Sequence, residues 1–275
     1  MLEKVNKFHP DKLADRIAGA LVDYAYTQET APKVAVEVLL GHGSATVIIE
    51  SSVTFDGAFV GAVVQRIAGI DDLALIQVPQ DAHLSRNQSE GVRCGDNGVF
   101  SAKWNTDYER ATALAKDLGE QFPFDGKYLF DFGKSEATIC QSNAKNKDIE
   151  AFAKLGEFNR LTVNPLGEWT GGSNTDAGCT NRKLGSDQPH CNPNGLHGKD
   201  LSKADVSVTI YINALSKLHN GAFVKAYCSI GDDAVVIEVE GQETIKVRFE
   251  EIVAFAHDYI NKVGGFEKFA EYGVI

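Results

Sequence analysis

The chain has 275 residues, of which 43% are hydrophobic, 24% charged and 9% aromatic, a balance that supports a sizeable core and excludes a disordered or collagen-like polymer. Its formal charge of -11 comes without any lysine or arginine run, so a non-specific nucleic-acid or anionic-membrane partner lacks its electrostatic footprint. The longest apolar runs, such as 34–40, fall far short of the roughly 18 residues of a membrane span, and Met1 opens onto Glu3, Lys4 and Lys7, so a cytoplasmic protein is expected.

Taken in chain order, one arrangement recurs. Leu13, Ile17, Leu21 and Tyr24 repeat at helical spacing within 11–26, and two extended runs follow at 33–40 and 45–53, joined at Gly41-His42-Gly43. A helical stretch at 58–68 then leads to a strand at 73–78. The same order returns at 108–118, 128–132, 137–141, 148–155 and 160–163, which marks an internal repeat. A third round starts at Lys203 with a periodic segment to Leu218, strands at 222–229 and 234–239, a helix at 249–263 and an apolar tail. Within it, 206–212 alternates like a strand, but its slot in the repeat predicts a helix.

Each amphipathic sheet must bury one face, so the prediction is an α+β fold of three similar α/β units, each helix, β-hairpin, helix, strand. The units run at about 1–105, 106–199 and 200–275. The polar stretches 80–103 and 164–199 stand outside the repeat, and loops of such length are usually functional.

The five cysteines, Cys94, Cys140, Cys179, Cys191 and Cys228, are odd in number, widely spaced and lack a C-x2-C pair, which fits reduced thiols. A zinc-binding interaction module built from Cys179, His190, Cys191 and His197 is the rival from another class, although its spacing fits no common structural-zinc pattern.

Three clusters carry chemistry. His9-Pro10-Asp11-Lys12, with Asp15 beyond, reads either as a capping sequence or as a phosphate seat at a helix N-terminus with a magnesium ligand beside it. The small-residue block 170–183 lets backbone amides approach a ligand, and adjacent Arg182 and Lys183 favour a shared anion. In 198–205, Lys199 and Lys203 stack at helical spacing, either as a solvated face or as another oligophosphate contact.

Together with Gly95-Asp96-Asn97-Gly98 and Asp125-Gly126-Lys127, these clusters occur in the order of the motifs of S-adenosylmethionine synthetase (methionine adenosyltransferase), which the chain resembles over nearly its whole length. That family too is built of three units around a pseudo-threefold. The resemblance implies attack of methionine sulfur on C5′ of ATP, release of tripolyphosphate and its hydrolysis to phosphate and pyrophosphate. By this resemblance His9 lies near the breaking bond; Lys12, Lys127, Arg182, Lys183 and Lys199 hold phosphates, with Gly195 beside them; and His9, Lys127, Arg182 and Lys199 carry catalysis. Asp11 and Asp205 hold Mg2+, about two ions per site, and Glu37 belongs to a K+ site. Asp96 and Asp125 lie at the ribose, Trp169 stacks on adenine, Asp176 also faces ATP, and Gln88, Asp176 and Lys203 meet L-methionine.

The resemblance also implies a homodimer with shared active sites, possible pairing of dimers being left open. Three departures stand out: Phe8 replaces a glycine, 192–197 replaces a glycine-rich approach to Lys199, and the methionine-binding glutamate has Glu50 as its nearest counterpart. They keep open a degenerate member that binds ATP or hydrolyses tripolyphosphate without making S-adenosylmethionine.

Overall fold

The computed structural model describes residues 1–80, 86–87, 90–153, 158–190 and 195–274. Its strands are β1 (Leu2–Val5), β2 (Val34–Gly41), β3 (Ser44–Ser51), β4 (Asp72–Pro79), β5 (Gly98–Ala102), β6 (Gly126–Asp131), β7 (Glu136–Gln141), β8 (Arg160–Val163), β9 (Ala177–Cys179), β10 (Val224–Cys228), β11 (Ala234–Val239) and β12 (Ile245–Arg248). The helices are α1 (Pro10–Gln28), α2 (Gly57–Ala68), α3 (Thr106–Gln121), α4 (Asn146–Ala153), α5 (Leu184–Asp187), α6 (Ala204–Leu218), α7 (Phe249–Val263) and α8 (Phe266–Tyr272).

Local chemistry sets the helix boundaries. Asp56 accepts from Ala58 N at 2.7 Å to start α2, and Asn105 accepts from Tyr108 N at 2.7 Å to start α3, each satisfying an otherwise orphan amide. Gly69, at φ 68, closes α2 in the left-handed conformation that a side chain disfavours.

Three four-stranded sheets form, the first ordered β4-β3-β2-β9, the second β1-β6-β7-β8 and the third β12-β11-β10-β5. In the first two units a hairpin is followed by a helical crossover to a parallel strand, β3 to β4 and β7 to β8. The third unit departs: β12 pairs antiparallel with β11 and the helix follows it. Each sheet also takes an edge strand from a distant stretch of chain. β1 pairs with β6, β5 with β10, and β9 with β2, so the sheets are assembled across positions 105 and 199. Both long polar stretches thus contribute a strand, which their weak periodicity concealed.

The alternating segment of α6 is helical because two cores claim it. Val206 and Ile210 pack into the core of the first sheet, while Val208 and Ile212 pack into that of the third. Each pair is four residues apart, so two interleaved helical stripes produce a strand-like alternation. No helix among the described residues is long and apolar enough to cross a membrane.

Candidate active site

Gly178 in β9 makes the site possible. A Cβ there would lie 2.2 Å from both the carbonyl carbon and oxygen of Pro10, so only glycine lets β9 cross the first turn of α1. That crossing delivers the 170–183 block to the helix N-terminus. Cys179 N donates to Asp11 Oδ1 at 2.9 Å, Arg182 Nε stands 3.0 Å from the same oxygen, and Lys183 Nζ stands 3.0 Å from Asp11 Oδ2. Asp11 is wholly buried, whereas the Arg182 side chain is half exposed.

His9 caps α1 by accepting from Asp11 N through Nδ1 at 3.2 Å. The ring proton then belongs on Nε2, which can donate. Burial pushes the His9 pKa down to about 4; Asp11 opposes this, and Lys183 and Lys127 add to it, so the imidazole is neutral near pH 7. Asp125 is buried on the same side, and burial, followed by the Asp176 and Asp11 carboxylates, pushes its pKa up to about 7. Gly171 sits where a Cβ would meet Trp169, Ser142 and Asp125, which places the Trp169 ring beside the Asp125 carboxylate. Lys127 stands at the rim, its Nζ 3.1 Å from Glu3 Oε2.

A second group is carried by 195–205. Val36 N donates to Gly198 O at 2.6 Å, which anchors the segment to β2 and sets Lys199 Nζ 2.6 Å from Asp205 Oδ2 at the start of α6. Gly195 abuts this pair, since a Cβ there would lie 2.8 Å from Lys199 Nζ. Lys203 occupies the N-cap position of α6, one turn from Lys199. Asn181 joins the two groups: its Oδ1 accepts from Leu196 N and His197 N, each at 2.8 Å, and its Nδ2 donates to His197 O at 3.2 Å. Asn181 thus ties the segment bearing Lys199 to the block whose Arg182 and Lys183 stand at the N-terminus of α1, where the helix dipole favours anions.

The chain is similar in sequence and fold to known proteins. Residues 1–72 match the family described as S-adenosylmethionine synthetase, N-terminal domain. The S-adenosylmethionine synthase of Nitratiruptor sp. is 26% identical over 93% of this chain and 84% of its own length. S-adenosylmethionine synthase 1 of Frankia casuarinae is 26% identical over 89% and 82%. In fold, an unusual S-adenosylmethionine synthetase from Campylobacter jejuni superposes with a TM-score of 0.73 at 16% identity, covering all of this chain and 93% of that one. The chain is thus similar to the S-adenosylmethionine synthetases.

Not every residue expected from the synthetase resemblance stands with these groups. Lys12, expected at a phosphate, points into the interior, where its Nζ lies 2.7 Å from Asp187 Oδ1 and 3.1 Å from Asp15 Oδ2. Burial alone would lower its pKa, but the two carboxylates raise it, so a charged ammonium is held wholly out of solvent. Asp15, Asp187 and His197 bring ligand atoms within 4.8 Å of one another, yet the Lys12 ammonium already supplies the positive charge among them. Asp96 stands at the head of β5 beside the third sheet, its Oδ1 accepting from Asn97 N at 2.8 Å, whereas Asp125 leads into the sheet of β1 and β6. Glu37 lies on the outward face of β2, with Oε2 accepting from the Thr180 hydroxyl, and Glu50 lies on β3 opposite Ala35 and Val78. Gln88 lies outside the described residues.

Of the zinc rival's residues, His190 packs edge-on against Phe223 and His197 binds Asp187, while Cys179 leans on Asp11 through its backbone and Cys191 lies outside the described residues. Sequence reading missed Asn181 and Asp187. Asn181 stood within the noted block, and its position between small residues and adjacent cations was the available signal.

Proposed function

We propose that this protein is a methionine adenosyltransferase, forming S-adenosylmethionine from ATP and L-methionine. The observation that carries the reading is the convergence of His9, Asp11, Arg182 and Lys183 at the N-terminus of α1. There, Arg182 and Lys183 bind the polyphosphate, and His9, neutral with its proton on Nε2, donates to the oxygen that leaves C5′ as sulfur attacks in line. Trp169 offers an aromatic face to the adenine, and Lys199 and Lys127 stabilise charge on the departing tripolyphosphate before its hydrolysis. Asp176 and Lys203 receive the methionine ammonium and carboxylate.

Among the described residues, buried Asp11 Oδ2 makes no hydrogen bond but faces the Lys183 ammonium at 3.0 Å, and Asp205 Oδ2 accepts from Lys199; both are hard oxygen donors of the kind that suits Mg2+. Asp11 and Asp205 would hold the ions, which neutralise leaving-group charge when bound. Glu37, with Thr180 beside it, would serve K+.

The outward face of the first sheet supports a homodimer. Leu39, Ile48, Ile76 and Val78 are 54%, 42%, 49% and 44% exposed on neighbouring strands, more apolar surface than a lone chain usually shows. A partner stacked there also accounts for the separation of Asp96 from Asp125, since each could complete the other subunit's site.

The test is incubation with ATP, methionine, Mg2+ and K+, read by mass spectrometry. S-adenosylmethionine is the expected product. Phosphate release without it would instead establish the degenerate reading, which the lack of a settled counterpart to the methionine-binding glutamate favours.

A further inference from the structure

Cys94 and Cys228 lie outside the groups described above. Cys94 is on the segment entering β5 and Cys228 ends β10, and their sulfurs are 2.8 Å apart, closer than two unbonded sulfurs ordinarily rest. Both are free thiols buried in the third core. Backbone bonds hold them face to face: Cys94 N donates to Asp232 O at 2.9 Å, Gly231 N to Cys94 O at 2.8 Å, and Gly95 N to Ser202 O at 2.9 Å. Cys228 also lines an open cleft with Asn97, Ser229 and Asp232, so a small oxidant has a route to the pair. The contact with Cys228 draws the Cys94 thiol below its ordinary range, which adds thiolate character at one sulfur. By contrast, Cys140 and Cys179 sit on the other two sheets.

We propose that Cys94 and Cys228 form a redox modification site that closes to an intrachain disulfide on exposure to a hydroperoxide. One sulfur attacks the peroxide oxygen; the O–O bond breaks, and the leaving alkoxide or hydroxide takes that thiol's proton, giving a sulfenic acid. The second sulfur then attacks the sulfenyl sulfur; the S–S bond forms, the S–O bond breaks, and the hydroxide departs as water with the second proton. Each sulfur loses one electron, and the peroxide gains two. Backbone movement is small because the partners are already in contact, and the new bond ties the segment bearing Asp96 to the hairpin of β10 and β11.

Tryptic cleavage isolates the two residues, with Cys94 in 94–103 and Cys228 in 226–246. The purified chain is treated with hydrogen peroxide, unfolded, alkylated, digested and mapped by mass spectrometry. The expected result is a cross-linked 94–103/226–246 peptide that is lost on dithiothreitol treatment, with Cys140 and Cys179 still alkylated. The melting temperature of the oxidised chain should rise by several degrees, because the bond closes a long loop of the unfolded state. Cys94 and Cys228 recovered as separate alkylated or sulfinic peptides, or cross-linked to other cysteines, would overturn the assignment. Cys228→Ala should abolish the cross-link; the wild-type map decides even if that variant folds poorly.

Discussion

Lys12 Nζ lies 2.7 Å from Asp187 Oδ1, and both side chains are wholly buried. Around this pair, Asp15 and His197 complete a charged core beneath the first turn of α1, and Lys4 Nζ donates nearby to Ser186 O at 2.6 Å. The charged cluster therefore braces the helix whose N-terminus carries the candidate site.

Lys12→Met should accordingly be a folding variant. Removing the ammonium leaves Asp15 and Asp187 buried with their main counter-charge gone, and breaking one partner of such a set costs about 3–5 kcal/mol. Urea denaturation should show the midpoint falling by a matching amount, and any residual folded fraction should keep its affinity for ATP. Unchanged stability with lost ATP binding would return Lys12 to the phosphates.

Lys199→Met should behave in the opposite way. Its ammonium is 20% exposed and solvent can reach the pair it makes with Asp205, so the stability loss should be smaller than for Lys12→Met. Turnover to S-adenosylmethionine should fall roughly a hundredfold or more, the scale of losing one preorganised charge on a developing anion. Parallel melting and product assays check this, and proportionate losses of both would count against the assignment.

Gly178→Ala tests the crossing of β9 over α1. The added methyl would overlap the Pro10 carbonyl, and relieving that overlap costs about 1–3 kcal/mol or more. Because relief means moving β9 away, Arg182 and Lys183 should retreat from Asp11, and the affinity for tripolyphosphate should drop along with the melting temperature. Retained affinity in the destabilised variant would show that β9 does not position the cations.

Asp125 sets a pH dependence. Its folded pKa, about 7, lies above the ordinary carboxylate value, so the folded chain holds a proton there that the unfolded chain has released. The contribution of Asp125 is therefore fully present below about pH 4 and is lost as pH rises through about 7. Asp125→Asn should remove that loss: its melting temperature relative to wild type should climb between pH 5 and 8 in ligand-free protein. A constant difference across this range would contradict the assigned shift.

Much of the architecture was legible in the chain itself. The periodicity of Leu13, Ile17 and Leu21 marked α1, the hairpins at β2–β3, β6–β7 and β10–β11 followed from extended runs between turns, and the third-round helix survived its strand-like alternation. What was not legible were the exchanged strands. β1, β5 and β9 are short or lie in polar stretches, and each forms because a distant sheet offers an open edge rather than because its own residues favour extension.

The site divides along the same line. The sequence alone determined neighbours along the chain: His9 ahead of Asp11 at a helix start, and Arg182 next to Lys183 after a run of small residues. Only the tertiary structure decided the direction of each charge. Asp11 and Lys12 are adjacent, yet one meets Arg182 and Lys183 while the other is drawn inward by Asp187, 175 positions away. Successive residues of a helix leave it about 100° apart, so chain order specifies the divergence of two side chains, but the partner awaiting each is supplied by the fold.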